Sequence, residues 1–229
     1  MIVVKLKPIK KIVDMIGSAG DVLIVGCDGC VGIYQEGGQK QVDLMKILLE
    51  MAKKLDEKRV LNVRTAVVLR QCDRQMCATS LLPLIDKNNV ILSMACGEGV
   101  QTLAEVFKDN LVVPAHDTMF IGTQDRELGK FYELCKACGD CILFETGGVC
   151  PVTRCAKGLM NGPCGGCVEG KCEVSAEVRD EFGKVTETRE QDCAWYLIYN
   201  KLKKEGRLDL FRKYSFPKNR AISNSPRQL

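Results

Sequence analysis

The residues best suited to chemistry in this chain are cysteines. Eight of the fourteen fall between Cys135 and Cys172. Cys135, Cys138 and Cys141 are separated by two residues each, a gap that makes a tight turn with successive sulfurs on its inner side. Cys150-Pro151 follows after eight intervening residues. Three closely spaced cysteines and a remote Cys-Pro are the grammar of bacterial iron–sulfur ligation, where the usual gap before the fourth cysteine is about three residues. Cys155, Cys164, Cys167 and Cys172 form a second set, and Cys193 lies beyond them. Gly147-Gly148, Gly162-Pro163 and Gly165-Gly166 sit among these thiols. Glycines allow the backbone to approach a metal group closely and leave N–H groups to donate to sulfur. Three chemistries compete for such a segment. Disulfides require an oxidising compartment. Structural zinc also uses C-x2-C pairs. Iron–sulfur ligation is favoured by the triple spacing and the Cys-Pro.

Composition narrows the choice. The 229 residues suit one large or two small domains, and a hydrophobic fraction of 46% is enough for a packed core. A net charge of +4 is too mild to argue for nucleic acid. Apolar runs are too short to span a membrane, and the first residues, Met1 to Pro8, do not read as a secretory signal. The expectation is a cytoplasmic, reducing location, which weakens the disulfide reading.

The elements that must position the thiols can be read in outline. After a lead-in with a short helix over Ile9–Ile16, Asp21–Val25 is a continuous apolar run of the kind found in buried parallel strands. Further runs lie within 60–69, at Val90–Met94 and at Leu111–Val113. Helices are expected between them, over 40–55 with Leu44, Met45, Leu48, Leu49, Ala52 and Leu55 on one stripe, and over 100–108. Strands alternating with helices imply βαβ units and a parallel sheet. Cys27 and Cys30 follow the first strand, Cys72 the second, Cys96 the third and His116 the fourth. Because ligands bind outside the carboxyl ends of strands in open α/β sheets, Cys27, Cys30, Cys72 and Cys96 should converge there, with Cys77 and His116 nearby. Either a second metal site, iron–sulfur or zinc, or a set of reduced thiols packed as small hydrophobes would explain them. Gly26-Cys27-Asp28-Gly29-Cys30 also resembles a phosphate-binding turn, without the spacing of a dinucleotide fingerprint.

No serine-hydrolase elbow or zinc-protease motif is present, and the only histidine, His116, cannot by itself build a histidine-based zinc site. Ser175 to Gln191 is charged and reads as an exposed hairpin turning at Gly183. Trp195, Ile198, Tyr199 and Leu202 mark an amphipathic helix with Asp192 as its N-cap and Cys193 in its first turn, where the helix dipole favours a thiolate. The tail, 207–229, is basic, with Leu210, Phe211, Tyr214 and Phe216 embedded, and suits an arm that docks on a partner.

Several of these residues together resemble a known family. They are Cys138-Gly139-Asp140-Cys141, Thr146 to Pro151, Cys155-Ala156-Lys157, Asn161 to Gly166, Gly170 to Glu173, and Cys193-Ala194-Trp195 with Ile198-Tyr199, joined more loosely by Gly26 to Cys30 and Gly37 to Lys40, so that the likeness spans most of the chain. The series resembles the methylenetetrahydrofolate reductase C-terminal-domain family, the MetV-type small subunit that accompanies a MetF-type flavoprotein in acetogens. The resemblance implies two [4Fe–4S] clusters on Cys138, Cys141, Cys150, Cys155, Cys164, Cys172 and Cys193, with Cys135 as the eighth ligand; Cys167 has no counterpart. It also implies a non-catalytic electron-transfer subunit. Its partner flavoprotein would reduce 5,10-methylenetetrahydrofolate to 5-methyltetrahydrofolate in the methyl branch of the Wood–Ljungdahl pathway. Further electron-donor subunits are compatible with that role, and neither nucleic acid nor membrane insertion is. The alternative is a zinc-stabilised adaptor of the same flavoprotein with no redox role. The expected fold is α/β: a Rossmann-like parallel sheet of about four strands over 1–130, a Cys-rich irregular metal domain with a helix over 131–205, and the tail over 206–229.

Overall fold

The computed structural model describes residues 1–56, 61–179 and 184–219; the side chain of Leu55, Val60, the expected turn at Gly183 and residues 220–229 of the tail lie outside the described residues. The chain divides into two compact units, Met1–Tyr132 and Glu133–Leu229.

The first unit opens with β1 (Ile2–Leu6), α1 (Ile9–Ile16) and β2 (Asp21–Cys27). The one-turn α2 (Cys30–Ile33) and the long α3 (Gln39–Asp56) lead to β3 (Asn62–Val68). Next come α4 (Arg74–Leu81), β4 (Val90–Met94), α5 (Gly97–Val106) and β5 (Val112–Pro114). β6 (His116–Asp125) follows, and the unit ends within β7 (Lys130–Cys135), at Tyr132. Four of these strands form a parallel sheet in the order β3-β2-β4-β5.

β2 explains why the sheet is covered on both faces. Its residues Val22 to Val25 are all essentially buried, and successive side chains point to opposite faces. Val22 and Ile24 pack with Ile12, Val13 and Ile16 of α1 and with Val42, Met45 and Leu49 of α3. Leu23 and Val25 pack with Cys77 and Leu81 of α4, with Leu103 of α5 and with Phe107 at its C-terminal cap. The result is a helix–sheet–helix sandwich.

Several elements depart from the expectations. α3 buries Val42, Met45 and Leu49, with Ala52 beside them, and leaves Leu44 56% exposed. The sheet selects one helical face at spacings of three and four, and Leu44 falls off it. α5 begins at Gly97 rather than Val100, because Cys96 takes the extended N-cap conformation and the Gly97 amide donates to Thr118 Oγ1 at 2.7 Å. Apolar periodicity does not reveal α4; Asp73 caps it by accepting from the Met76 amide at 2.9 Å. The lead-in contains a strand: β1 pairs antiparallel with β6, Ile2 opposite Ile121, in a separate sheet of order β1-β6-β7. That pairing is between residues distant in the chain, so a short apolar run carries no local signal for it. The Tyr34 hydroxyl accepts from the Val4 amide at 2.8 Å and donates to the Ile2 carbonyl at 3.1 Å, fixing β1 beside its bulge. Burial pushes the Tyr34 phenol up to about 12, so it remains a donor.

The second unit has little regular structure. It contains the single turn α6 (Pro151–Arg154), the two-residue pair β8 (Cys167–Val168) and β9 (Lys171–Cys172), and the hairpin β10 (Ala176–Arg179) and β11 (Val185–Arg189). α7 (Ala194–Lys204) and α8 (Leu208–Phe211) follow. The core of this unit is Cys193, Trp195, Ile198 and Leu202, with Leu208, Leu210 and Phe211 packed against it. Asp192 is not the cap of α7. Its carboxylate binds Lys171 Nζ at 2.7 Å, and Cys193 itself stands at the N-cap position, one residue before the first turn. The ammonium of Lys171 satisfies the carboxylate more strongly than an amide would. Tyr199, expected on the apolar stripe, is 38% exposed. Tyr214 and Phe216 of the tail are exposed as well. No helix among the described residues is long and apolar enough to cross a membrane.

Two predictions test this packing. His116 is buried, and burial pushes its pKa from 6.5 down to about 4. The backbone groups of Glu36 and Ala95 approach the ring and offset part of that shift, although neither nitrogen completes a hydrogen bond among the described residues. The fold therefore favours the neutral ring, and its advantage is lost as pH falls from 6.5 through about 4. Denaturant unfolding of wild type and His116→Leu should show the wild type losing on the order of 3 kcal/mol relative to the variant across that window. A pH-independent difference would contradict it. The second test uses the sole tryptophan. A methyl group at Gly162 would overlap the Trp195 indole, so Gly162→Ala should red-shift its emission and destabilise the second unit by roughly 1–3 kcal/mol.

Candidate metal centre

Cys135 ends β7, and the loop after it curls back on itself. Ala137 and Gly139 both adopt left-handed backbone conformations, with φ of 50° and 81°. This curl brings Cys135, Cys138 and Cys141 round one cavity of about 320 Å³, and Cys150, at the start of α6, completes its lining. The Ala137 amide donates to the Cys135 sulfur at 3.3 Å. Lys218 also lines the cavity, and its ammonium pairs with Asp140 at 3.1 Å. At about 30 Å³ per water, the space holds far more than one ion. Four thiols around a cavity of this size fit a cluster ligated by four cysteines.

The second set gathers around the start of α7. Cys167 and Cys172 face each other across β8 and β9. Cys193, Cys167 and Cys155 pack together with the Trp195 core. Desolvation, then the Cys193 thiol, push the Cys167 pKa up. Backbone bonds fix the arrangement: the Cys193 amide donates to Gly170 and the Cys172 amide to Gln191, each at 2.8 Å. Trp195 covers the group and donates from Nε1 to the Leu159 carbonyl at 3.3 Å. Cys164 stands apart from these contacts. It is exposed, and its thiol interacts with Lys157, which is itself paired with Glu173.

In the first unit, Cys27, Cys30, Cys72 and Cys96 line one cavity of about 470 Å³ at the carboxyl ends of β2, β3 and β4. Burial raises the Cys27 pKa; the nearby backbone of Gln71 and Gly29 pulls the other way, and Cys96 and Cys72 raise it further. Cys77 does not face this cavity. It is fully buried under α4, and its thiol donates to the Gln71 carbonyl at 3.2 Å. His116 does not line the cavity either.

Gln71 is a structural residue that apolar periodicity could not single out. It is fully buried, donates from Nε2 to the Val25 carbonyl at 2.7 Å and accepts from Ser93 Oγ at 2.6 Å. The only signal is a polar residue soon after an apolar strand and directly before Cys72. Gly37 is a second: a methyl group there would overlap the Met94 carbonyl, while its own carbonyl accepts from the Cys27 amide at 2.9 Å.

No three His, Cys, Asp or Glu side chains among the described residues stand close enough to hold a single metal ion. The thiols surround spaces rather than a point. Comparison with curated proteins gives no match, and comparison with solved structures gives none. Residues 113–221 match the family model described as methylene-tetrahydrofolate reductase C terminal. All nine cysteines from Cys135 to Cys193 lie in that span, and Cys27, Cys30, Cys72, Cys77 and Cys96 lie before it. The half of the chain that carries the loop-borne thiols is thus similar to a domain associated with methylenetetrahydrofolate reductase.

Proposed function

We propose that this chain is an iron–sulfur subunit that passes electrons to the flavoprotein reducing 5,10-methylenetetrahydrofolate to 5-methyltetrahydrofolate, in the methyl branch of the Wood–Ljungdahl pathway. The observation that carries the reading is the ring of Cys135, Cys138, Cys141 and Cys150 around one cavity, inside the span that matches the reductase family model. Clusters held there would supply one-electron transfer to a flavin, leaving the two-electron reduction of the folate to the partner. The chain's own residues bind and shield. The Ala137 amide donates to the Cys135 sulfur, and Lys218, paired with Asp140, closes the same cavity. Trp195, Ile198 and Leu202 keep water from the second.

The second ligand set we assign to Cys155, Cys167, Cys172 and Cys193. The family resemblance counts Cys164 and omits Cys167, but the contacts of Cys167 with Cys193 and Cys172 support the reverse. Cys167→Ser should therefore remove roughly four irons and as many sulfides, and Cys164→Ser should leave both unchanged. The opposite result would restore the assignment taken from the resemblance.

The redox role is tested by anaerobic purification with iron, zinc and sulfide analysis. At least roughly eight irons with matching sulfide are expected. The dithionite-reduced chain, freed of reductant, should then bleach the flavin of the partner reductase, and Cys138→Ser should slow it by at least roughly tenfold, on the scale of losing one ligand of a cluster. Zinc without sulfide would sink the redox mechanism and leave a structural adaptor.

A further inference from the structure

The parallel sheet carries a thiol set that the family match does not cover. β2 leads through α3 to β3 on one side of itself, whereas β4, its neighbour on the other side, leads through α5 to β5 in the opposite direction. The crevice outside the carboxyl ends of β2 and β4 is therefore a topological switch point, where α/β sheets bind their ligands. Cys27 and Cys30 leave β2 there, Cys96 leaves β4, and Cys72 follows β3 alongside.

We propose that Cys27, Cys30, Cys72 and Cys96 hold an iron–sulfur cluster of their own in this cavity. Four cysteines from three strand ends around one space form the complete ligand set of a [2Fe–2S] or [4Fe–4S] group. The fifth cysteine of the unit is an internal comparison. Cys77 is fully buried and packs as a small hydrophobe, whereas Cys72 is exposed and Cys30 and Cys96 are half-buried, turned to the cavity instead of the core. A thiol serving only as packing needs no cavity.

The surroundings suit this group better than the alternatives. Ile2, Val31, Ile33 and Ala95 make most of the wall apolar, and β1 lies across the sheet end with Val4 packed against Cys27. Apolar walls that exclude solvent are what tunes a cluster. A nucleotide or flavin would need a glycine-rich turn opening a long helix, but α2 is a single turn. A single zinc would need its four thiolates within about 2.3 Å of one centre, whereas these stand around about 470 Å³. Gln71, which lines the cavity, is locked between β2 and β4 by its side chain.

The test uses the full chain purified anaerobically. Cys72→Ser/Cys96→Ser should lose roughly two to four irons, an equal amount of sulfide and one reduced-state EPR signal, while Cys77→Ser loses none. A folded double variant, by circular dichroism, that keeps all its iron, or that loses only zinc, overturns the proposal. A second variant does not depend on the first folding. With Cys138→Ser, Cys141→Ser, Cys167→Ser and Cys172→Ser combined, roughly two to four irons with sulfide should remain; a folded protein without iron overturns the proposal. The two readings separate cleanly: full iron retention in the combined carboxyl-terminal variant would defeat the proposed function, with the cluster of the first unit judged independently by Cys72→Ser/Cys96→Ser.

Discussion

β2 is hydrogen-bonded along both edges, and the first unit depends on that. Its pairing sets Cys27 opposite Val68 of β3 and Gly26 opposite Met94 of β4, so all three strands end at one level. Burial of Val22 to Val25 on alternating faces holds this register, because a slip of one residue would exchange the two packed faces. With the register held, the residues that follow each strand are delivered to the same edge. Gln71 reinforces the arrangement from below, tying the segment before Cys72 to the backbone of β2 and the side chain of Ser93.

The second unit solves the same problem without a sheet. Its thiols are close in sequence, so tight turns and short pairings suffice, and its apolar core is small: Trp195, Ile198 and Leu202 with a few partners. The T-shaped contact of Trp195 with Phe211 at 5.9 Å, and of Tyr199 with Phe211 at 5.6 Å, anchors α8 to α7. Loop-rich segments with so little apolar burial gain stability from metal–thiolate bonds, since the free energy of binding is also free energy of folding. On the proposed reading the cysteines are both the redox site and a main support of this unit, which is why variants there need a fold readout beside an iron readout.

Residue type and short-range spacing determined much by themselves. The C-x2-C-x2-C run at Cys135 announced a thiol site because the turn that joins such cysteines is local. Continuous apolar runs located β2 and β4, and the same reasoning foresaw that Cys27, Cys30, Cys72 and Cys96 would share one edge, since βαβ connectivity leaves few alternatives. Apolar periodicity likewise marked α7, and α1 follows Pro8 and stops at Gly17 as the chain suggests.

Only the tertiary structure decided the rest. β1 pairs with β6 more than a hundred residues away, a contact for which a short apolar run carries no signal. Which face of α3 is buried depended on where the sheet lies, and Leu44 was left outside. Asp192 offered a cap by position, but Lys171 reached its carboxylate first. Cys164 and Cys167 are equivalent by spacing, and only the β8–β9 pairing puts Cys167 against Cys193 and leaves Cys164 beside Lys157. Chemistry encoded in adjacent residues is legible from sequence because short chain segments have few conformations; chemistry assembled from distant residues is set by packing, which belongs to the whole fold.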